Sequence, residues 1–386
     1  VKYAPFGHKS VSIPRIPNRS TSALIDKAAL RHNYRLIAGH AAGIPLMPMV
    51  KANAYGHGII ECSQVFLDEG AYALGVAFST EAYLLRSNGI SARIVIMTPP
   101  MPGDIPFIAA YGIETVICTI PALRMLDMHA ASVNTTINVH VYIDTGMHRD
   151  GILPQDIPQF AAALKECTHI GIAGICTHLA TADAEDTAFL DEQYAEFCKS
   201  LEIFRDMGII FPMMHVFNSA GLLRRSADFP TGLLRPGLSL YGYSPLEEEN
   251  TYSQQLKPAL SLRSEILTIR RIKAGETVSY GRRYKALKDT SIATIPIGYG
   301  DGLFRSLGSA LHCIIHGKKY SVAGTICMDE CMIDIGDTPC QPGDEVIFIG
   351  HQGNEYISAA DIAQMANTIP YEITTAISAR VPRIYI

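Results

Sequence analysis

The sequence predicts an α/β protein in which a (β/α)8 TIM-like barrel is followed by a mostly β C-terminal domain. Three observations carry this expectation. From about Ser22 to Tyr243, short apolar runs alternate with longer helix-like segments, the pattern of successive βα units. After Tyr243 the texture changes to short β-prone runs separated by turn signals. The chain has 386 residues, and a parallel barrel uses about 250 of such a length, so a second domain is needed. The expected division is a basic N-terminal arm at 1–21, a barrel at 22–243 and a β-rich domain at 244–386.

The arm carries Lys2, Lys9, Arg15 and Arg19 with Pro5, Pro14 and Pro17 and no acidic residue, which describes a flexible or extended segment. The chain opens on Val1, so a linker from an upstream domain stays open as a reading. Eight strand candidates follow: Leu46–Val50, Tyr72–Ala77, Ile94–Met97, Glu114–Cys118, Asn138–Ile143, Ile172–Cys176, Met214–Phe217 and Leu233–Leu234. Helix candidates between them include Asp26–Ala38, Thr80–Ser87, Pro121–Ala131 and Thr187–Met207. A doubly wound sheet is the alternative, but no GxGxxG follows the first strand. The stretch 245–250 reads as a surface linker. Beyond it come β runs at Ala259–Ile272, Ser291–Ile295, His312–His316, Tyr320–Ala323, Met332–Ile335 and Glu345–Ile349, with one helix at Ser358–Asn367.

Composition narrows the function. Hydrophobic residues at 48% and charged residues at 18% describe a soluble globular protein with a large interior. A net charge of -5 gives no reason to expect nucleic acid. No apolar stretch approaches the roughly 18 residues that span a bilayer, so no membrane contact by this segment is expected. Nine scattered cysteines without a CxxC pair fit reduced thiols and a cytoplasmic setting. Cys327 and Cys331 lack a second pair, so no metal site is expected.

The chemistry gathers at strand ends, where a parallel barrel builds its active site. Lys51 closes the apolar run Pro45–Val50, and Ala52, Ala54, Gly56 and Gly58 leave space around it. A buried lysine loses charge readily and becomes a nucleophile suited to a Schiff base with pyridoxal 5'-phosphate. A lysine merely snorkelling from a strand end is the plain alternative. Arg149 follows the fifth strand, His178 the sixth, His215, Asn218 and Ser219 the seventh, and Arg235 and Gly237 the eighth. Singly each is an ordinary polar residue; together they share one rim. Ser219, the Gly237-Leu238 turn and Tyr55 can offer a phosphate hydroxyls and backbone amides. His178 can hold a pyridine plane, and Arg235 can face the ring nitrogen without protonating it.

With these residues in place, the chain resembles bacterial alanine racemase, a fold type III pyridoxal phosphate enzyme. VKANAYGHG, DTGMHRDG, THLATAD, NSAG and RPGLSLYG carry the resemblance in the barrel. SYGRRY, IPIGYGDG, TICMDECMIDIG and IPYEITTAISARVPR carry it in the β domain. The resemblance implies a homodimer with shared active sites, a small amino-acid substrate (alanine, possibly serine), and D-alanine production for peptidoglycan. It implies Lys51 as Schiff-base lysine and first base, and Tyr280 from the opposite subunit as second base. It implies Arg235 at the pyridine nitrogen, His178 by the ring, and Tyr55, Ser219, Gly237, Leu238 and Tyr371 at the phosphate. Arg149 and the Met328 backbone would hold the substrate carboxylate, with Asp183, Tyr299 and Arg305 on the access corridor and His215 in support. Proton loss from a tyrosine base needs help, and His178 beside Arg235 is the expected relay.

Two departures from the family pattern stand out. Tyr142 replaces a lysine, often carbamylated, so Arg149 must be oriented differently, with the Tyr142 hydroxyl as a candidate. Thr325 replaces a corridor arginine, which shortens and neutralises one wall. With the basic arm and the absent initiator Met, Thr325 keeps open an alternative, the catalytic domain of a membrane-linked serine/alanine racemase of vancomycin-resistance type; Tyr371 argues against it.

Overall fold

The computed structural model describes residues 19–225, 232–246 and 251–386. Six parallel strands lie side by side in chain order: Leu74–Val76, Ile94–Ile96, Glu114–Ile117, Ile137–Tyr142, Ile170–Cys176 and Met214–His215. The first and last strand positions close this curl through isolated parallel bridges, Met49 to Gly75 and Leu46 to Leu234. The amides of Met47 and Met49 donate to the carbonyls of Leu234 and Pro236. Pro48 and Pro236 carry no N–H, which is why these two positions form bridges rather than full ladders. Val95, Val116, Val141 and Ile175 are solvent-free, and strands buried on both faces read as continuous apolar runs.

Helices surround the barrel. Lys27–His40 begins at Asp26, whose carboxylate accepts from the Ala28 and Ala29 amides at 2.8 and 3.0 Å. Ile105–Tyr111 and Ile157–Glu166 each have proline in the first turn, where its missing N–H costs nothing. The longest, Ala188–Asp206, turns Gln193 inward, and this buried amide holds the His178 and Ala180 backbone at 3.2 and 2.8 Å.

In the C-terminal domain the expected run Ala259–Ile272 is two strands in different sheets. Leu260–Glu265 joins the large sheet, while Thr268–Ile272 pairs with Thr290–Ile295, which in turn pairs with Cys331–Gly336. The break falls where Ile266 and Leu267 turn their amides to Asp344 and Thr294. Helix Ala359–Ala366 matches the expected one, and a second, Pro370–Ala376, follows it.

Two placements differ from the sequence reading. Ser22–Ile25, assigned to the barrel, lies in the large sheet of the C-terminal domain, antiparallel to Leu260–Glu265 and parallel to Arg383–Tyr385. The arm, expected to be flexible or extended, is tied down where it is described. Arg19 forms a two-pronged ion pair with buried Asp301 at 2.5 and 2.7 Å, and Thr21 is fully buried with its hydroxyl on the Pro296 carbonyl. The rest of the arm, and linker residues 247–250, fall outside the described residues.

Candidate active site

Lys51 follows the first barrel strand and begins a left-handed turn. Ala52, Asn53, Ala54 and Tyr55 have φ of 51, 55, 53 and 52°, and none is glycine. Such a conformation costs roughly 1–2 kcal/mol per residue, so neighbours must hold it. Glu81 accepts the Ala52 and Ala77 amides at 2.6 and 2.7 Å. Asn53 receives the Ile59 amide on its side chain and the Gly58 amide on its carbonyl, both at 2.9 Å. The C-terminal domain clamps the far end: Arg383 donates to the Gly56 carbonyl at 2.9 Å. At Gly56 a Cβ would stand 2.0 Å from the Thr374 carbonyl oxygen, so only glycine fits there.

The turn projects Lys51 into a cavity of about 450 Å³. The expectation of a buried lysine needs correction, because in the single chain Lys51 is exposed within an open cavity. Its amine is still pushed below the usual lysine value by the protein crowded around it, then by Arg149 and, more weakly, Arg235, against an opposing pull from Glu81.

Tyr55, His178, Ser219, Arg235, Gly237, Leu238, Tyr371 and Arg149 line the same cavity, as expected, and Tyr142 and Thr177 join them. The Tyr55 ring packs on Tyr241 and Tyr371 at centroid distances of 4.9 and 5.7 Å. A Cβ at Gly237 would lie 2.3 Å from the Tyr55 hydroxyl, so glycine there keeps a cradle open beside the hydroxyl. Ser219 Oγ receives the Gly237 amide and the Ser239 hydroxyl at 2.8 and 2.9 Å. With these groups donating to it, Ser219 Oγ has its own hydrogen to give, and with the Tyr55 and Tyr371 hydroxyls on the same cavity it forms a donor set suited to a phosphate. Asp183 is exposed near Tyr371, whose hydroxyl is pushed up to about 12 by burial and then by the Asp183 charge.

Arg235 is 4% exposed, and the two terminal nitrogens of its guanidinium are engaged from behind. It donates to the carbonyls of Thr177 at 2.8 Å and Val216 at 3.0 Å, and to that of His215. It also donates to His215 Nδ1 at 2.9 Å and His178 Nδ1 at 3.3 Å. Burial first, and then the cations Arg235, Arg149 and Lys51, bring His178 down to about 3, so its ring is neutral. The Tyr142 hydroxyl hydrogen-bonds Arg149 and is raised to about 12 by burial, so it meets Arg149 as a neutral phenol.

Two residues of this network escaped the sequence reading. His215 Nε2 meets His140 Nδ1 at 2.9 Å, and His140 Nε2 meets Glu114 at 2.8 Å. Both Glu114 and His140 are buried inside barrel strands. The signal was there: a titratable residue opens one valine- and isoleucine-bearing strand, Glu114–Ile117, and lies within another, Ile137–Tyr142.

Tyr280, Met328, Tyr299 and Arg305 do not line the Lys51 cavity. They share a separate concavity of about 700 Å³ on the C-terminal domain. Tyr280 stands 72% exposed on a tight turn in which Ser279 has φ 67°. The Ser279 hydroxyl donates to the Thr325 carbonyl at 2.6 Å, and the Thr325 hydroxyl donates to the Tyr280 carbonyl at 2.9 Å. Thr325 is therefore a buried strut under Tyr280, a role the sequence reading did not give it. The Met328 amide makes no hydrogen bond among the described residues, and its carbonyl accepts from Gly300 at 2.9 Å.

A parallel barrel with a lysine at its first strand end, joined to a β domain that contributes to the cavity through Tyr371, is the arrangement of this chain, and its relatives are two-domain amino-acid racemases. The comparisons with known proteins place the chain within that class. The model of the alanine racemase N-terminal domain matches residues 25–245, and that of the C-terminal domain matches 259–385. The chain is similar to the alanine racemase of Carboxydothermus hydrogenoformans, 35% identical over 369 residues, 95% of this chain and 100% of that protein. It is 36% identical to that of Mycobacterium tuberculosis over 381 residues, 97% of this chain and 98% of the other. Among solved structures, alanine racemase from D-cycloserine-producing Streptomyces lavendulae aligns with a TM-score of 0.90 at 33% identity, covering 96% of this chain and 98% of that one. Alanine racemase from Bacillus anthracis with bound L-Ala-P aligns with a TM-score of 0.90 at 33% identity, covering 96% of each. The chain belongs to the alanine racemase family, and it is an amino-acid racemase.

Proposed function

We propose that this chain interconverts L- and D-alanine with pyridoxal 5'-phosphate, using Lys51 of one subunit and Tyr280 of another in a homodimer. The observation that carries the reading is the division of the site: the cavity holds the lysine and the phosphate-type cradle, while the tyrosine stands exposed on a different surface. The residues fit the cofactor. Gly237 leaves room beside Tyr55, the Ser219 and Tyr371 hydroxyls line the same cavity, and a lysine with a weakened hold on its proton shares it.

When bound, pyridoxal phosphate draws electrons from the substrate and makes its Cα–H bond acidic. The protein's residues then manage that proton. Lys51 Nζ works on one face of Cα, and Tyr280 Oη of a second copy works on the other, so each enantiomer meets a base where its hydrogen points. Arg149, steadied by Tyr142, and the amide of Met328 from the second copy hold the carboxylate. Arg235, held by three carbonyls and two imidazoles, would stay charged as the partner of the cofactor's ring nitrogen and so limit the electron withdrawal the cofactor supplies. The relay follows from the same contact: with Arg235 donating to His178 Nδ1, the neutral ring carries its hydrogen on Nε2, from which His178 would steady a Tyr280 phenolate by donating to it.

The proposed role is supply of D-alanine for peptidoglycan in the cytoplasm. All nine cysteines are free thiols, which suits a reducing compartment. No helix among the described residues is long and apolar enough to cross a membrane. The family comparisons do not favour the serine/alanine alternative. Measuring kcat/KM for L-alanine and L-serine, with exchange of the Cα hydrogen in deuterated water, tests the proposal. Alanine should be preferred and should exchange; absence of exchange by the cofactor-loaded enzyme would sink the reading.

A further inference from the structure

The polar chain beneath Arg235 has a direction. A guanidinium only donates, so His215 Nδ1, 2.9 Å from Arg235 Nη1, must accept. A neutral imidazole has one N–H and one lone pair, which puts the His215 hydrogen on Nε2. His215 is neutral, since burial, then His140 and Arg235, hold it well below the ordinary histidine value. Its Nε2 faces His140 Nδ1 at 2.9 Å, so His140 accepts there and carries its own hydrogen on Nε2. That hydrogen meets Glu114 Oε2 at 2.8 Å, while Glu114 Oε1 pairs with Arg93 at 3.0 Å. Reversing either ring would set two donors against each other at one end of the chain. Gly174 makes room for the junction, since a Cβ there would lie 2.7 Å from His140 Nδ1.

We propose that Glu114, acting through His140, fixes the Nε2–H tautomer of His215 and thereby holds Arg235 in the plane it presents to the cavity. Glu114 and His140 are positioning residues, three and two side chains behind Arg235, with His140 the nearer. The functional half of this statement rests on the reading of Arg235 as the partner of the cofactor's ring nitrogen; the tautomer half does not. A purely structural polar plug would need its groups satisfied but would have no effect on catalysis.

The test begins with cofactor-free wild-type protein labelled with ring-15N histidine. Long-range 1H–15N spectra should show His215 and His140 neutral, with the hydrogen on Nε2 in both. A hydrogen on His215 Nδ1, or on both nitrogens, overturns the proposal whatever the activity. His140→Leu removes the acceptor and should release His215 into mixed tautomers. In the loaded enzyme it should lower kcat for alanine by roughly 10- to 100-fold, with KM little changed and a shifted absorbance of the bound cofactor. His140→Asn, whose Oδ1 can stand where Nδ1 stands, should recover most of the loss. Leu and Asn variants with equal, undiminished kcat overturn the positioning role. Should the leucine variant fail to fold, the wild-type spectrum and a Glu114→Gln variant still decide: Gln that leaves kcat and both tautomers unchanged overturns the role of Glu114. Failure of wild-type protein to bind pyridoxal phosphate would instead strike the reading of Arg235 and leave the tautomers as they are.

Discussion

The cavity around Lys51 is walled by arginines, stacked aromatics and carbonyls that hold every part of it in place, whereas Tyr280 stands on the β domain with 72% of its surface exposed. One side is complete in its supports; the other is a tight turn whose tyrosine shares a wide concavity with Cys327, Asp329 and Glu330 but, among the described residues, with no lysine or phosphate cradle. A rigid half with one base and an exposed half with another make chemical sense when each chain supplies one half to a neighbour. The difference also shows where precision is invested. The lysine side relies on a strained turn and a buried polar chain, the tyrosine side on two hydroxyl struts.

The comparison is broken most directly by mixing. Lys51→Ala should lose about 10⁴-fold in activity and Tyr280→Phe at least ~10²-fold. If the halves come from different chains, random re-pairing of the two inactive variants restores one intact site in each mixed dimer, and roughly a quarter of wild-type activity returns. A mixture that stays inactive after confirmed subunit exchange sets the two halves in one chain. Gly237→Ala addresses the lysine side alone. Its Cβ would meet the Tyr55 hydroxyl, and Tyr55 is penned between Tyr241 and Tyr371. Fluorescence titration should show cofactor affinity weakened by about tenfold, or ~1.4 kcal/mol, while Tyr280 is untouched.

Acid should also act on the lysine side. His178, with a folded value of about 3 against 6.5 when free, takes up a proton more readily in the unfolded chain. Stability is therefore whole above pH 6.5 and falls as the pH drops from there toward 3. Thermal melts over that interval should descend; a flat profile would show that burial of this ring is not retained in solution. The smallest effect belongs to Thr325→Val, which removes one hydroxyl strut worth about 0.5–1.5 kcal/mol. It should lower kcat a few-fold in both directions and leave cofactor affinity unchanged. A loss of cofactor binding instead would mean that the two regions are not independent.

Much of the lysine side was legible before the structure, because strand ends of a parallel barrel converge and Lys51, Arg149, His178, Ser219 and Arg235 all fall at such ends. Tyr280 was not: a strand-end tyrosine has no spacing rule, and only resemblance singled it out. The left-handed turn after Lys51 was hidden for a different reason. Ala52, Asn53, Ala54 and Tyr55 do not advertise positive φ, and the conformation is imposed by Glu81 and by residues more than 300 positions away, among them Arg383. Ser22–Ile25 carries no mark of its partner either, since four small or apolar residues pair equally well with any sheet that has a free edge.

That same strand bears on how the chain is made. Ser22–Ile25 takes its place only between Leu260–Glu265 and Arg383–Tyr385, so both strands that receive it are synthesised long after it. The barrel can assemble on a growing chain while this short edge waits unpaired, held off from the wrong neighbours by nothing but its length. Such long-range closure is slow by its topology. A chain that stops short of Arg383 would therefore hold a closed barrel with a loose strand and an unclamped lysine turn, a species open to aggregation.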